Sequence, residues 1–160
     1  MAYAMRFMAE VEKGDCMTVQ HQLLSGYTHA NVCYLGVYPL HLAIELGDHD
    51  MCVLLLYAGA KTDLKPNGKD KKTALEMATE YSKDKKHKFN KLGTELLTLM
   101  KGDKAKEKLQ TAFDGVTERI ETQRKKDIAN MKLMCKIFVP LIVLAIAFLF
   151  RTQLEKLLMK

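Results

Sequence analysis

Tyr38-Pro39-Leu40-His41-Leu42-Ala43-Ile44-Glu45-Leu46-Gly47 is the stretch from which the fold is read. Pro39 stands where a helix can open, because a first-turn residue has no intrahelical use for its N–H. Gly47 permits a reversal into a second helix, Met51-Cys52-Val53-Leu54-Leu55-Leu56 forms its apolar body, and Gly59 ends it. The landmarks recur upstream: Gly14-Asp15 precedes Gly47-Asp48 by 33 residues, and Gly26 precedes Gly59 by the same interval. A fixed period of about this length marks stacked helix pairs, each burying its apolar face only against its neighbours.

The decapeptide resembles the T-P-L-H-x-A segment of the ankyrin repeat, with Tyr38 at the threonine position and Leu42 inside the motif. The resemblance extends over roughly residues 4 to 102. It implies an all-α array: a degenerate first repeat over 1–34, a whole repeat over 35–67 and an atypical third over 68–102. In the first, only Phe7, Ala9, Gly14, Val19, Leu23 and Gly26 keep the pattern, and polar Gln22 stands where the second has Leu55. The third begins with Gly68 and Thr73-Ala74-Leu75-Glu76-Met77-Ala78, alanine replacing proline. His41 is implied to hydrogen-bond within its repeat and loops. About three repeats are the minimum for stability, so an array with two weak members needs further support.

No glycine reversal follows the helix of the third unit. Instead Ser82-Lys83-Asp84-Lys85-Lys86-His87-Lys88-Phe89-Asn90-Lys91 precedes the apolar Leu96-Leu97-Thr98-Leu99-Met100. Lys83, Lys85, Lys86 and Lys88 read as a solvated basic loop, with contact to acidic protein, RNA or anionic lipid as the functional alternative. Phe89 is its sole residue able to stack on a base.

Residues 103–132 read as an amphipathic stalk helix: Leu109, Phe113, Val116 and Ile120 recur at spacings of four, three and four. The stripe lapses at Gln123 and Arg124 and resumes at Ile128 and Met131, too short for a coiled coil. It suits packing on the array or on a foreign subunit equally, so these four residues are the candidate protein-binding set.

From Ile137 to Phe150 no side chain is polar. Fourteen residues rise only ~21 Å, but counting from Leu133 gives 18 residues and roughly 27 Å, close to a hydrocarbon core of about 30 Å. The segment is apolar all round. Residues 133–150 are therefore expected to form one transmembrane helix, with Lys136 snorkelling toward headgroups, Arg151 anchoring the far end, and Pro140 tolerated near the start with a modest kink. The basic tail 151–160 follows, and such a late span implies tail-anchored insertion with the array facing the compartment of entry. Five basic residues before the span (Arg124, Lys125, Lys126, Lys132, Lys136) against three after it agree with that orientation.

Short span and basic flanks resemble a mitochondrial anchor more than a secretory one. Met1 to Gly14 contains Glu10 and Glu12 and no serine, which argues against a cleaved presequence. Charge agrees with the layout: residues 1–60 carry two basic and six acidic side chains, and residues 61–132 carry nineteen and twelve. The basic stalk thus suits anionic headgroups better than the acidic array does.

Cys16, Cys33, Cys52 and Cys135 show no C-x-x-C spacing, so neither zinc nor a disulfide framework is indicated. Cys135 lies at the expected membrane boundary, a position open to acylation. No phosphate loop, nucleophile elbow or paired acid and base appears, which excludes the recognisable enzyme classes and calls for no cofactor, nucleic acid or small-molecule substrate. The expectation is a non-catalytic accessory subunit of a mitochondrial membrane complex, respiratory complexes among the candidates, with protein subunits and membrane lipid as partners. The alternative is a free tail-anchored adaptor on the outer mitochondrial or endoplasmic reticulum membrane, recruiting a soluble client through the concave array surface.

Overall fold

The computed structural model describes residues 2–67, 71–101 and 104–158; the side chains of Leu144, 147–150 and 152–158 stand outside that description. Gly68, with which the third unit was expected to open, is likewise outside it. Among the described residues there are seven helices and no strand: α1 (Ala2–Lys13), α2 (Cys16–Leu24), α3 (Pro39–Leu46), α4 (His49–Tyr57), α5 (Ala74–Lys83), α6 (Asn90–Met100) and α7 (Ala105–Leu158). The chain divides into two compact units, Met1–Ile120 and Glu121–Lys160, with α7 contributing to both.

The first unit is consistent with an ankyrin-repeat array. α1/α2, α3/α4 and α5/α6 form three helix pairs; α3 packs between α1 and α5, and α4 between α2 and α6. The 33-residue echo has a local cause. Gly14 (φ 71°) and Gly47 (φ 76°) take the left-handed turn that a side chain resists, and the aspartate after each caps the next helix. Asp15 accepts from Thr18 N–H at 3.0 Å and Asp48 from Met51 N–H at 2.9 Å. Thr73 and Glu76 replace this device in the third pair with a reciprocal capping box. The core runs through all three pairs, from Phe7, Val11 and Val19 through Leu40, Ile44, Met51 and Leu55 to Ala78, Leu92 and Leu96.

The connection between α5 and α6 is shorter and better built than the expected loop. Ser82 and Lys83 belong to α5, and Asn90 and Lys91 to α6, leaving 84–89 between the helices. Asn90 donates through Nδ2 to the carbonyls of Tyr81, Ser82 and Asp84 at 2.9–3.1 Å. His87 stacks on Tyr81 at 4.1 Å between ring centroids and accepts the Phe89 N–H through Nδ1 at 3.1 Å. Phe89 lies so close to Gly47 that any Cβ there would overlap its ring. The ring expected to offer a stacking surface is therefore used to fasten the third pair to the second. Gly93 lets α6 close on α5 within the third pair, since a Cβ there would lie 2.7 Å from the Ala78 carbonyl oxygen.

In the second unit, α7 carries exposed Leu133, Met134, Ile137, Phe138, Val139, Leu141, Ile142, Val143 and Ile146, with Pro140 inside the helix. Among the described residues no helix is long and apolar enough to cross a membrane. The expected span over 133–150 depends partly on Leu144, Ala147, Phe148, Leu149 and Phe150, whose side chains lie outside the description.

Candidate protein interface

The stalk stripe is taken up by the chain itself. Val116 is wholly buried with Val53 and Leu54 of α4, and Leu109, Phe113 and Ile120 pack around them. The Phe113 ring stacks on Tyr57, and Gln20 Nε2 of α2 donates to Thr117 Oγ1 at 3.0 Å. Arg119 grips Asp50 with two hydrogen bonds, Nε to Oδ2 at 2.9 Å and Nη2 to Oδ1 at 2.6 Å. Burial alone would raise the Asp50 pKa, but hydrogen bonds and charge from Arg119 and His49 outweigh it and hold the carboxyl below its ordinary value. The four residues that sequence offered to a partner protein thus cover the outer helices of the first two pairs.

Lys83 at the end of α5, and Lys85, Lys86 and Lys88 on the α5–α6 connection, are exposed, as their composition implies. Lys88 lies over the Phe89 ring, Nζ 4.9 Å from its centroid. Lys136 and Arg151 are exposed on α7, on either side of the apolar run.

The cysteines are all thiols: Cys33 and Cys135 exposed, Cys16 half-buried and Cys52 fully buried. Burial first, then the negative charge of Asp48, Asp50 and Asp15, pushes the Cys16 pKa up to about 12; burial raises that of Cys52 as well. Both stay protonated and are poor nucleophiles. Among the described residues no cluster of three or more His, Cys, Asp or Glu is placed to hold a metal. His41, expected to hydrogen-bond within its repeat and loops, is almost fully buried, and neither ring nitrogen has a hydrogen-bond partner among the described residues. Burial lowers its pKa, against a weaker opposing effect from the backbone of Lys72 and Leu64.

A surface that sequence reading passed over lies where α1 and α3 meet the hairpin between the first two pairs. Tyr34 and Val37 exchange both backbone hydrogen bonds at 3.0 Å, leaving Leu35-Gly36 as a two-residue turn. Leu35 (φ 51°) and Gly36 (φ 80°) are both left-handed, as a type I′ turn requires. Glycine suits this geometry; a leucine is strained by it. The turn is held by its neighbour, the Asn67 N–H donating to the Gly36 carbonyl at 2.9 Å. Leu35 is nonetheless 85 % exposed, beside a groove of roughly 350 Å³ lined by Met5, Met8, Ala9 and Glu12 of α1, by Tyr34 and Val37, and by Leu42 of α3. The legible signal was an apolar residue before a glycine in a segment otherwise reading as loop.

The family model of the ankyrin repeat matches residues 35–67, the second helix pair with its flanking loops. No curated protein and no solved structure matches the chain significantly. An ankyrin repeat points to interaction with other proteins. The groove beside Leu35, lined by Met5, Met8, Val37 and Leu42 with Glu12 as its one charged side chain among the described residues, offers adaptable apolar surface for that.

Proposed function

We propose that the chain is a non-catalytic, membrane-anchored protein-binding subunit of a larger mitochondrial membrane complex. The observation that carries the binding role is Leu35: a leucine held in a left-handed turn and left 85 % exposed beside an apolar groove costs stability in the isolated chain. That cost is recovered when a partner covers the side chain. Support for the anchor comes from the unbroken apolar run 137–150 and from the exposed apolar side chains of α7 between Lys136 and Arg151. The mitochondrial assignment rests on basic flanks around a short run, and lipid is a partner of the same segment.

One observation favours the second reading, a free adaptor on the outer mitochondrial or endoplasmic reticulum membrane. The first part of α7 closes over α2 and α4, so the array holds part of its support within the chain and does not depend on a neighbour for it. Blue-native electrophoresis of mildly solubilised mitochondria containing the tagged chain separates the two. A discrete high-mass band that is lost with Leu35→Ser supports the subunit; migration near the monomer mass in mitochondria, or residence in the endoplasmic reticulum, transfers the role to the adaptor. A chain that stays in the aqueous phase after carbonate extraction refutes the anchor in both readings.

A further inference from the structure

Two clefts of the first unit differ in kind. The one beside Leu75 is lined by charges of both signs, Lys71, Lys72, Glu76, Glu80, Lys83 and Asp84 among them. The other, of roughly 290 Å³, is lined by Tyr3 and Arg6 of α1, Thr18, His21 and Gln22 of α2, and Tyr27, with no contribution from α3 or α4. Tyr3 is 78 % and Tyr27 72 % exposed. Aromatic rings around an arginine, with hydroxyls and amides at the margin, are the composition of an interface centre rather than of a solvated surface.

Charge selects the occupant. No carboxylate lines this cleft, and Arg6 is exposed with no ion pair among the described residues. The nearby Lys13 is already paired with Glu10 at 3.3 Å. A second copy docked face to face by two-fold symmetry would set Arg6 against the same guanidinium, an arrangement that costs affinity. The geometry points to a docking site for a different protein that inserts an apolar or aromatic side chain between Tyr3 and Tyr27 and presents an aspartate or glutamate to Arg6. A bidentate guanidinium–carboxylate pair suits a partly covered site, where lysine makes a poorer substitute. This site rests on the reading of the chain as a protein-binding module and adds a second contact, separate from the Leu35 groove.

The test replaces Tyr3, Tyr27, Leu35 or, as a control on the charged cleft, Leu75 by benzoylphenylalanine in the full chain, irradiates it in its native membrane, and maps the cross-linked peptides by mass spectrometry. Positions 3 and 27 should cross-link to one foreign protein, at a peptide with Asp or Glu beside the attachment point. Arg6→Glu should lower that yield about tenfold, the equivalent of one lost ion pair of ~1.4 kcal/mol, and Arg6→Lys by less. Circular dichroism melting confirms that each variant folds. Cross-links to this chain's own sequence, to a peptide lacking carboxylates, or no more abundant than from Leu75 overturn the proposal, as does indifference to Arg6→Glu. Cross-links from Leu35 with none from Tyr3 and Tyr27 overturn it while leaving the groove intact; none from any of the three overturns both.

Discussion

Phe113 stacks on Tyr57 with ring centroids 3.6 Å apart and planes 8° from parallel, joining α7 to the outer helix of the second pair. The contact ties residues far apart in sequence, and together with buried Val116 it makes the start of α7 part of the array's fold. Phe113→Ala removes the stack and opens part of the seam, which should cost about 2 kcal/mol, below the range for a fully buried phenylalanine because this one is half-exposed. Val116→Asp buries an unpaired charge and should free the helix altogether. Limited proteolysis reads the outcome: cleavage within 105–120 should quicken in both variants, more in the second. Unchanged protection would show that α7 is held by something other than this seam.

The Arg119–Asp50 pair lies beside the seam, with side chains 58 % and 36 % exposed. Solvent screening limits its worth to about 0.5–1 kcal/mol despite its two-bonded geometry. Asp50→Asn and Arg119→Gln should each destabilise by that order, and the double variant should cost little more than either. Chemical denaturation in a double-mutant cycle measures the coupling, which should shrink in high salt. Fully additive losses would mean the residues act independently.

Gly47 answers two demands at once, a left-handed φ of 76° and the face of Phe89 against its Cα. Gly47→Ala should therefore cost well above the ~1 kcal/mol of the backbone term alone. In a Phe89→Ala background the added cost of Gly47→Ala should fall back toward ~1 kcal/mol, because the ring it would strike is gone. Equal costs in both backgrounds would place the strain elsewhere.

The lowered pKa of His41 carries a pH dependence with a definite sign. Unfolded, the imidazole takes up a proton near its ordinary value of 6.5; folded, burial holds it neutral to lower pH. Between those two values the unfolded chain binds more protons, so stability is fully present above about pH 6.5 and falls as the pH drops toward the folded value. Melting temperatures between pH 7.5 and 5 should show this loss, and His41→Gln should flatten it whatever it does to absolute stability. A slope surviving the substitution would assign the titration to another group.

How far the sequence revealed this molecule depended on whether a feature was local. Pro39, Gly47 and the aspartates after the repeat glycines act within one turn of chain, and their period exposed the paired helices. The third unit was read from the likeness of Thr73-Ala74-Leu75-Glu76-Met77-Ala78 to the motif, while the capping box by which Thr73 and Glu76 start α5, equally local, went unread. The amphipathic stripe of α7 was legible too, but a stripe records that a face is covered and not by what. Val53, Leu54 and Tyr57, which cover it, become visible only when the chain is folded. In the basic loop, lysine density signalled exposure, which the four lysines have, but the fastening of 84–89 falls to Asn90, His87 and Phe89, whose partners sequence does not show.

Leu35 was hidden because it contradicts its own turn. In a two-residue type I′ hairpin, Asn-Gly is the preferred pair, since asparagine tolerates the left-handed region that leucine resists by roughly 1–2 kcal/mol. Leu35→Asn should therefore raise the melting temperature, because its side chain is 85 % exposed and little packing is lost. If the leucine is kept for a partner, the same substitution should weaken complex formation, measured as loss of the high-mass band in blue-native gels. Stability gained with association lost would identify Leu35 as a binding residue, whereas stability gained with the complex intact would leave its strain without a function and remove the main support for the groove.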